Sequence, residues 1–242
     1  MASPEGPVTQ SVTTLLKPGL RLGDDNESPE NQEFIRLNKL LKAQPGCLSQ
    51  YWGHQVENPN IFMWLIDWES KPIYNTFRES PAHDDIAGGV GKLMQFDLDS
   101  APVFVTFTKW DKDAKAALKA PVTEFAYFKL PDGAGEKEEN ECRELLSTIP
   151  DYVTTVGKAL GSATGWVFLV EPESAKAPWL HGVYGWQDIE AHMRWREMPE
   201  IQAPVKVFME AGKKGLALVP AVEVPGINKE TGWFHVRFHH DD

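Results

Sequence analysis

The sequence contains one segment twice, at a constant spacing and without a gap. Residues 68–81 recur in altered form as residues 186–199, with the initial Trp, the Arg-Glu pair and the final Pro in register. Ser70 aligns with Asp188, and both suit a helix N-cap, because a short side-chain oxygen accepts hydrogen bonds from the free N–H groups of a first turn. The offset of 118 residues (186 − 68) predicts a duplicated domain rather than a solenoid, whose period is roughly 20–50 residues.

The hydrophobic pattern around each copy predicts the same order of elements, β-α-β-β-α-β. In the first half, it predicts strands at 8–16, 47–56, 61–68 and 101–107 and helices at 31–44 and 71–93, the second broken at Pro81. In the second half, it predicts strands at 122–130, 165–170, 179–186 and 216–224 and helices at 136–160 and 187–212. Such a unit forms a four-stranded antiparallel sheet with both helices on one face, and its open apolar face needs a partner. The obvious partner is the other copy, so we predict a closed intramolecular pair.

These elements divide the chain into a first repeat (1–110), a linker (111–120), a second repeat (121–224) and a C-terminal tail (225–242). The tail does not fit the repeat. Residues 233–239 alternate between apolar and polar side chains, which predicts an extra half-buried strand. We expect this strand to pair with an exposed sheet edge or to close over a cavity mouth.

The charge balance limits the partners of the chain. There are 24 Lys and Arg against 35 Asp and Glu, a net charge of −11, whereas binding to nucleic acid or to an anionic membrane depends on clustered basic residues. No run of 18 apolar residues exists and no secretory signal is visible, so we expect a cytoplasmic protein. The expected partner is a small aromatic molecule, bound by a monomer (a pseudo-dimer) or a homodimer.

Several short motifs carry a resemblance to a known family. They are Pro45-Gly46-Cys47, the tetrapeptides at 51–54 (Tyr-Trp-Gly-His) and 57–60 (Glu-Asn-Pro-Asn), and the segment 68–81. Residues 8–107 resemble antibiotic biosynthesis monooxygenase domains of the dimeric α/β-barrel superfamily, and residues 121–224 resemble them weakly. Members of that superfamily pair as dimers of ferredoxin-like units. The resemblance therefore implies an α+β fold, in which two ferredoxin-like β-α-β-β-α-β repeats pair as an intramolecular dimeric α/β barrel with an extra C-terminal strand.

The resemblance also implies a pocket between the sheet and the helices of a repeat. Many relatives carry a His nine residues after the Trp that ends the strand, and often a second one after Ser-Pro. Here those positions hold Phe77, Trp195 and Ala82, so the roles of those histidines do not carry over to this chain.

Three other residues are the candidates for proton transfer. His54 shares a strand face with Trp52, and an imidazole titrates near neutral pH. Tyr74 and His192 occupy equivalent positions in the two capped helices, where Tyr74 could donate to a phenolate oxygen and His192 could act as a base. A hydrogen-bonded strand histidine and half-exposed helix positions are the competing explanations.

Mostly aromatic residues are expected to line the pocket for a flat ligand, although packing of the helices would explain them equally well. They are Trp52, Trp64, Trp68, Phe77, His83, Tyr184, Trp186 and Trp195. We expect no metal and no cofactor, because the sequence contains no spaced ligand set and no Gly-rich phosphate loop.

Three functions stay open at this point. The first is a cofactor-independent oxygenase of aromatic or polyketide secondary metabolism, acting on a phenolic or quinol-type substrate. The second is a polyketide cyclase, isomerase or dehydratase on the same fold, and the third is a non-catalytic binding module. Haem degradation, also found in the family, has less support because no residue stands out as an axial ligand. The divergence of the second repeat indicates that only one of the two pockets works.

Overall fold

The computed structural model describes residues 6–23, 27–95, 103–130, 149–171, 179–201, 219–220 and 232–240, together with positions 137, 140, 144 and 147. Most of the helix predicted at 136–148, and most of the strand predicted at 216–224, lies outside these residues.

The first repeat has the predicted order of elements. Its four strands are β1 (Val8–Leu15), β2 (Cys47–Gln55), β3 (Ile61–Trp68) and β4 (Phe104–Trp110). Its helices are α1 (Pro29–Lys42), α2 (Lys71–Arg78) and α3 (Pro81–Leu93). The fourth strand begins three residues later than predicted, and the break at Pro81 separates two helices. Proline suits the first turn of α3, because its missing N–H would have had no partner there.

The second repeat repeats this order in the described residues. A short helix α4 (Lys115–Leu118) falls in the predicted linker, and β5 (Val122–Lys129), α5 (Ile149–Thr155), β6 (Gly161–Glu171), β7 (Trp179–Trp186), α6 (Ile189–Glu197) and β8 (Val219–Pro220) follow. The last strand of the chain is β9 (Trp233–His240). Both predicted N-caps are confirmed, since Ser70 Oγ accepts from the N–H of Ile73 and Asp188 Oδ1 from that of Ala191.

The strands form one closed antiparallel barrel. The order is β7-β6-β4-β1-β3-β2-β9-β5, and β5 pairs back to β7. The first repeat contributes the ferredoxin-like order β4-β1-β3-β2, and its edge strand β4 joins β6 of the second repeat. The closed pairing of two repeats is therefore confirmed.

Strand β9 completes the barrel on the opposite side. It pairs with β2 over Tyr51–Gln55 and with β5 over Thr123–Ala126, so it lies between the two repeats. The described part of the predicted fourth strand, β8, pairs with β5 only at Phe128 and Lys129. The tail strand thus occupies the place next to β5 that the fourth strand of a ferredoxin-like repeat would take. The predicted extra strand and its pairing with a sheet edge are confirmed.

The barrel wall has two buried faces because side chains alternate along each strand. Tyr51, Phe125, Tyr127, Trp179 and Phe234 form much of the barrel interior. The outer face of the first repeat packs under its helices, and a smaller cluster covers the outer face of the second repeat. A pocket between sheet and helices, as predicted, would lie on this outer face.

Candidate functional site in the second repeat

The predicted pocket wall of the first repeat is buried and hydrogen-bonded. Trp64 Nε1 donates to Gln50 Oε1, and Trp68 Nε1 donates to Gln10 Oε1, each at 3.0 Å. Phe77 stacks on Trp68 with ring centroids 4.9 Å apart. These contacts make the aromatic residues of this face part of its core.

Tyr74 is buried in the same core, as its predicted inward orientation requires. Its ring lies 4.7 Å from that of Phe107 and 5.6 Å from that of Trp68. The ammonium group of Lys71, itself buried, lies 4.2 Å from the centre of the Tyr74 ring and donates to Asn75 Oδ1. Tyr74 therefore lies among aromatic rings and next to the Lys71 ammonium group.

The two other histidine candidates of the first repeat lie at its periphery. His54 holds a loop through both ring nitrogens, with Nδ1 2.8 Å from the Pro59 carbonyl and Nε2 3.1 Å from the backbone N–H of Leu22. The structure thus favours the hydrogen-bonded strand histidine over a free base. His83 is half-buried at the start of α3, with its ring edge against Phe77 at 5.4 Å.

Trp52 lies near His54 but packs against the tail. Its ring stacks on that of His239 with centroids 6.2 Å apart. Gly23 approaches the indole so closely that a Cβ atom there would lie 2.6 Å from Trp52 Nε1. Trp52 thus joins the first repeat to β9.

In the second repeat, aromatic residues surround a buried histidine. The His192 ring lies 5.2 Å from Trp186, 6.1 Å from Trp195 and 5.0 Å from Trp233. Tyr184 belongs to the same outer cluster as Trp186, and burial raises its pKa, so that its hydroxyl stays neutral. The structure thus brings together four predicted site residues: Tyr184, Trp186, His192 and Trp195.

Four ionisable side chains form a connected series through this cluster. Glu57, in the β2–β3 turn of the first repeat, accepts from His235 at Oε1 (2.6 Å to Nδ1) and at Oε2 (2.9 Å to the backbone N). His235 Nε2 lies 2.9 Å from His192 Nδ1. His192 Nε2 lies 3.3 Å from Glu124 Oε2, off the line of a hydrogen bond, and Trp186 Nε1 donates to the same oxygen at 3.0 Å.

Burial controls the charges of this series. It raises the pKa of Glu124 from 4.5 to about 7, against the weaker opposing effects of His235, Trp186 and Arg196. Burial also lowers the pKa of His192 to about 3, with smaller contributions in the same direction from His235 and Arg196. At Glu57, partial burial opposes ionisation, but the hydrogen bonds from His235 outweigh it and lower the pKa. Near neutral pH, His192 is uncharged, Glu57 is ionised and Glu124 titrates, as a general base or acid should.

The first repeat holds uncharged side chains at the three corresponding positions. Gln10 matches Glu124, because each lies two residues after the valine that pairs with the strand-ending Trp. Phe107 pairs opposite Gln10 as His235 pairs opposite Glu124, and Tyr74 matches His192. At these three positions the side chains are therefore neutral in the first repeat, whereas in the second repeat they are a carboxyl group and two imidazoles.

Sequence reasoning found His192 but not its three partners. Glu57 belongs to a motif that carries the family resemblance, Glu124 to a predicted strand and His235 to the polar side of the tail strand, but none of them is a predicted site residue. A signal for Glu124 does exist, since alignment of β1 with β5 places it against Gln10. Neither Glu57 nor His235 has such a signal, because their contact joins residues 178 positions apart in the chain.

The described residues contain no group of three or more His, Cys, Asp or Glu arranged to hold a metal ion. Among these same residues, no helix is both long and apolar enough to cross a membrane.

Comparisons with known proteins agree with this fold. Residues 31–88 match the sequence model of the antibiotic biosynthesis monooxygenase family, whereas no curated protein matches the chain. A solved anthrone oxidase-like protein is 12% identical with a TM-score of 0.64, over 98% of this chain and 93% of its own. A protein of Fusobacterium nucleatum, provisionally described as a monooxygenase, is 10% identical with a TM-score of 0.58, over 98% and 95%. One of Lactobacillus acidophilus, with the same provisional description, is 13% identical with a TM-score of 0.54, over 97% and 94%.

At these identities the solved structures show the fold alone, and the family match covers one segment of the first repeat. The predicted resemblance is confirmed for that segment, and the predicted architecture for the chain. Residues 31–88 thus match an antibiotic biosynthesis monooxygenase domain, and the chain has the fold of a tandem dimeric α/β barrel.

Proposed function

We propose that the second repeat holds the active site of a cofactor-independent monooxygenase for a phenolic or quinol-type aromatic substrate. The observation that carries the proposal is Glu124, a buried carboxyl group whose pKa of about 7 suits a general base, next to His192 and Trp186. The half-buried indole rings of Trp195 and Trp233, next to the buried Trp186, supply apolar surface for a flat ligand. The family match of residues 31–88 and the fold of the anthrone oxidase-like protein support the same reaction class.

The reaction needs no electron donor other than the substrate. Glu124 removes a proton from the carbon activated by the phenol or ketone, and the resulting carbanion-like carbon transfers electrons to O₂. A carbon–oxygen bond forms to give a peroxide anion. The remaining proton of this carbon leaves as the O–O bond breaks and a C=O bond forms, and the departing oxygen takes up two protons to become water. For an anthrone, CH₂ and O₂ become C=O and H₂O. The neutral Tyr184 hydroxyl is our candidate donor to the oxyanion of the substrate.

The first repeat is the structural partner in this proposal. Its equivalent of Glu124 is Gln10, which cannot take up a proton at neutral pH, and its equivalent of His192 is Tyr74. Of the three candidates for proton transfer, His192 therefore keeps that role in this proposal. We assign His54 and Tyr74 to the structure of the first repeat.

Oxygen uptake tests the proposal directly. Purified protein is incubated with an anthrone or a quinol in an oxygen electrode, with an anaerobic sample and the E124Q variant alongside. We expect one O₂ consumed per product and a fall of about 10²–10⁴-fold in kcat for E124Q, the usual contribution of a general base. Glu69, exposed at the end of β3, provides a matched control variant, E69Q, which should keep full activity.

A second function is open because a buried base does not by itself require oxygen. A cyclase or isomerase would use Glu124 and His192 for proton transfer alone, and it would turn over equally well in the anaerobic sample. If neither sample turned over and no aromatic ligand bound, the chain would be a binding module.

A further inference from the structure

When His235 is neutral, the series from Glu57 to Glu124 has one consistent direction for its hydrogen bonds. Ionised Glu57 can only accept, so Nδ1 of His235 must carry the proton in their 2.6 Å contact. In a neutral His235, Nε2 is then an acceptor, which requires Nδ1 of His192 to donate across 2.9 Å. The neutral His192 ring consequently presents an unprotonated Nε2 to Glu124.

A proton passes along the series when the Glu124 carboxyl turns toward His192 Nε2, which lies 3.3 Å from Oε2 but off the line of a hydrogen bond. When Glu124 holds a proton, it can give it to His192 Nε2, while the Nδ1 proton of His192 moves to His235 Nε2. The Nδ1 proton of His235 then moves to Glu57, and each imidazole ends neutral in its other tautomer. The reverse shift restores the starting state, so no charge stays on either buried ring.

The two ends of the series differ in their access to solvent. The Glu57 side chain is 42% exposed, whereas those of His235, His192 and Glu124 are buried. Glu57 comes from the β2–β3 turn of the first repeat, and His235 from the tail strand. The repeat and the tail therefore complete a path from solvent to a carboxyl group buried in the other repeat.

We propose that Glu57 and His235 form a proton relay between solvent and the Glu124–His192 pair, with Glu57 as the solvent end. The relay rests on the proposed function for its use in a reaction. The proton that leaves the substrate carbon passes outward to Glu57, and a proton returns to the hydroxide that leaves when the O–O bond breaks. Each turnover thus moves one proton out and one in, which resets both tautomers. Glu57 and His235 are positioning residues for the base rather than groups that touch the substrate.

Histidine ¹⁵N NMR tests the relay without any substrate. In the wild-type protein at pH 7, we expect His192 and His235 to carry the proton on Nδ1, the less common tautomer of a free imidazole. Replacing His235 by Phe, the residue that its counterpart Phe107 shows to fit this wall, should shift His192 away from that tautomer. A wild-type His235 protonated on Nε2 alone, or on both ring nitrogens, would overturn the relay, whatever the activity of the protein.

Kinetics with an anthrone as substrate test whether the relay contributes to turnover. We expect E57Q to lower kcat about tenfold or more, less than the ~10²–10⁴-fold loss for the base itself, and to leave KM unchanged. Added imidazole should restore the rate, which a merely structural defect would not allow, and E69Q should behave as wild type. An E57Q protein with wild-type kcat would overturn the relay while leaving the proposed function intact. If the wild type showed no turnover, the proposed function would be wrong. The relay would then be tested by the NMR measurement of the two histidine tautomers alone.

Discussion

Replacing Glu124 by Gln should stabilise the protein at alkaline pH while it lowers kcat by about 10²–10⁴-fold. The first repeat shows that glutamine fits this position, because Gln10 Oε1 accepts from Trp68 Nε1 at 3.0 Å, as Glu124 Oε2 does from Trp186. The substitution therefore keeps the shape and the indole hydrogen bond of the site and removes only the ionisable group.

The magnitude follows from the pKa of Glu124. Below pH 4.5 the carboxyl is protonated in both the folded and the unfolded chain, and the substitution changes little. Between 4.5 and about 7, the unfolded chain ionises while the folded protein does not, so wild-type stability falls as pH rises. At about 1.4 kcal/mol for each pKa unit, the full difference above pH 7 is about 3 kcal/mol.

Urea unfolding of both proteins between pH 4.5 and 8.5 measures this difference. We expect equal free energies of unfolding at the acidic end and E124Q more stable by about 3 kcal/mol at pH 8.5, together with slower oxygen uptake. A difference that did not change with pH, or an E124Q protein less stable than wild type at pH 8.5, would refute the assignment of Glu124 as a buried carboxyl with a raised pKa.

Three other substitutions test separate parts of the structure. H192Y, which installs the residue found at the matching position 74, should keep the fold by circular dichroism and lower kcat by about 10²–10⁴-fold; wild-type activity would remove His192 from the site. F234A should lower the free energy of unfolding by about 3–5 kcal/mol, because the fully buried Phe234 ring stacks on Phe125 inside the barrel; a small loss would mean that β9 is not part of the core. G23A should cost about 1–3 kcal/mol, because Gly23 has a φ of +85° and contacts Trp52; an unchanged Tm would contradict that contact.

The sequence predicted the parts of the fold that depend on local pattern. The repeated segment, its two N-caps and the alternation at 233–239 each follow from the periodicity of helix or strand, and the paired repeats follow from two open apolar faces. The alternation also indicated a half-buried β9, but His235 on its polar side is buried as well. Its partner Glu57 reaches it from the other repeat, and no local pattern encodes that contact.

The candidate site was predicted only in part, because local patterns do not show which residues from distant parts of the chain meet. His192 followed from its position in a capped helix that the repeat duplicates, and Trp186 and Trp195 from their place in the repeat. The first repeat looked more promising because its motifs resemble the family, yet its matching positions hold only neutral side chains. Glu124 depends on the pairing register of β5 with β7 and β9, which fixes the face of the barrel wall that each residue occupies.

The pH dependence of kcat/KM for oxygen uptake tests the central claim most directly. Because the free protein must hold Glu124 ionised to act as a base, we predict that kcat/KM rises with pH through an apparent pKa of about 7 and then levels off. Activity and stability should thus change in opposite directions over the same pH range. A kcat/KM that stayed constant from pH 5 to 9, or that kept the same pKa in E124Q, would contradict a base at Glu124.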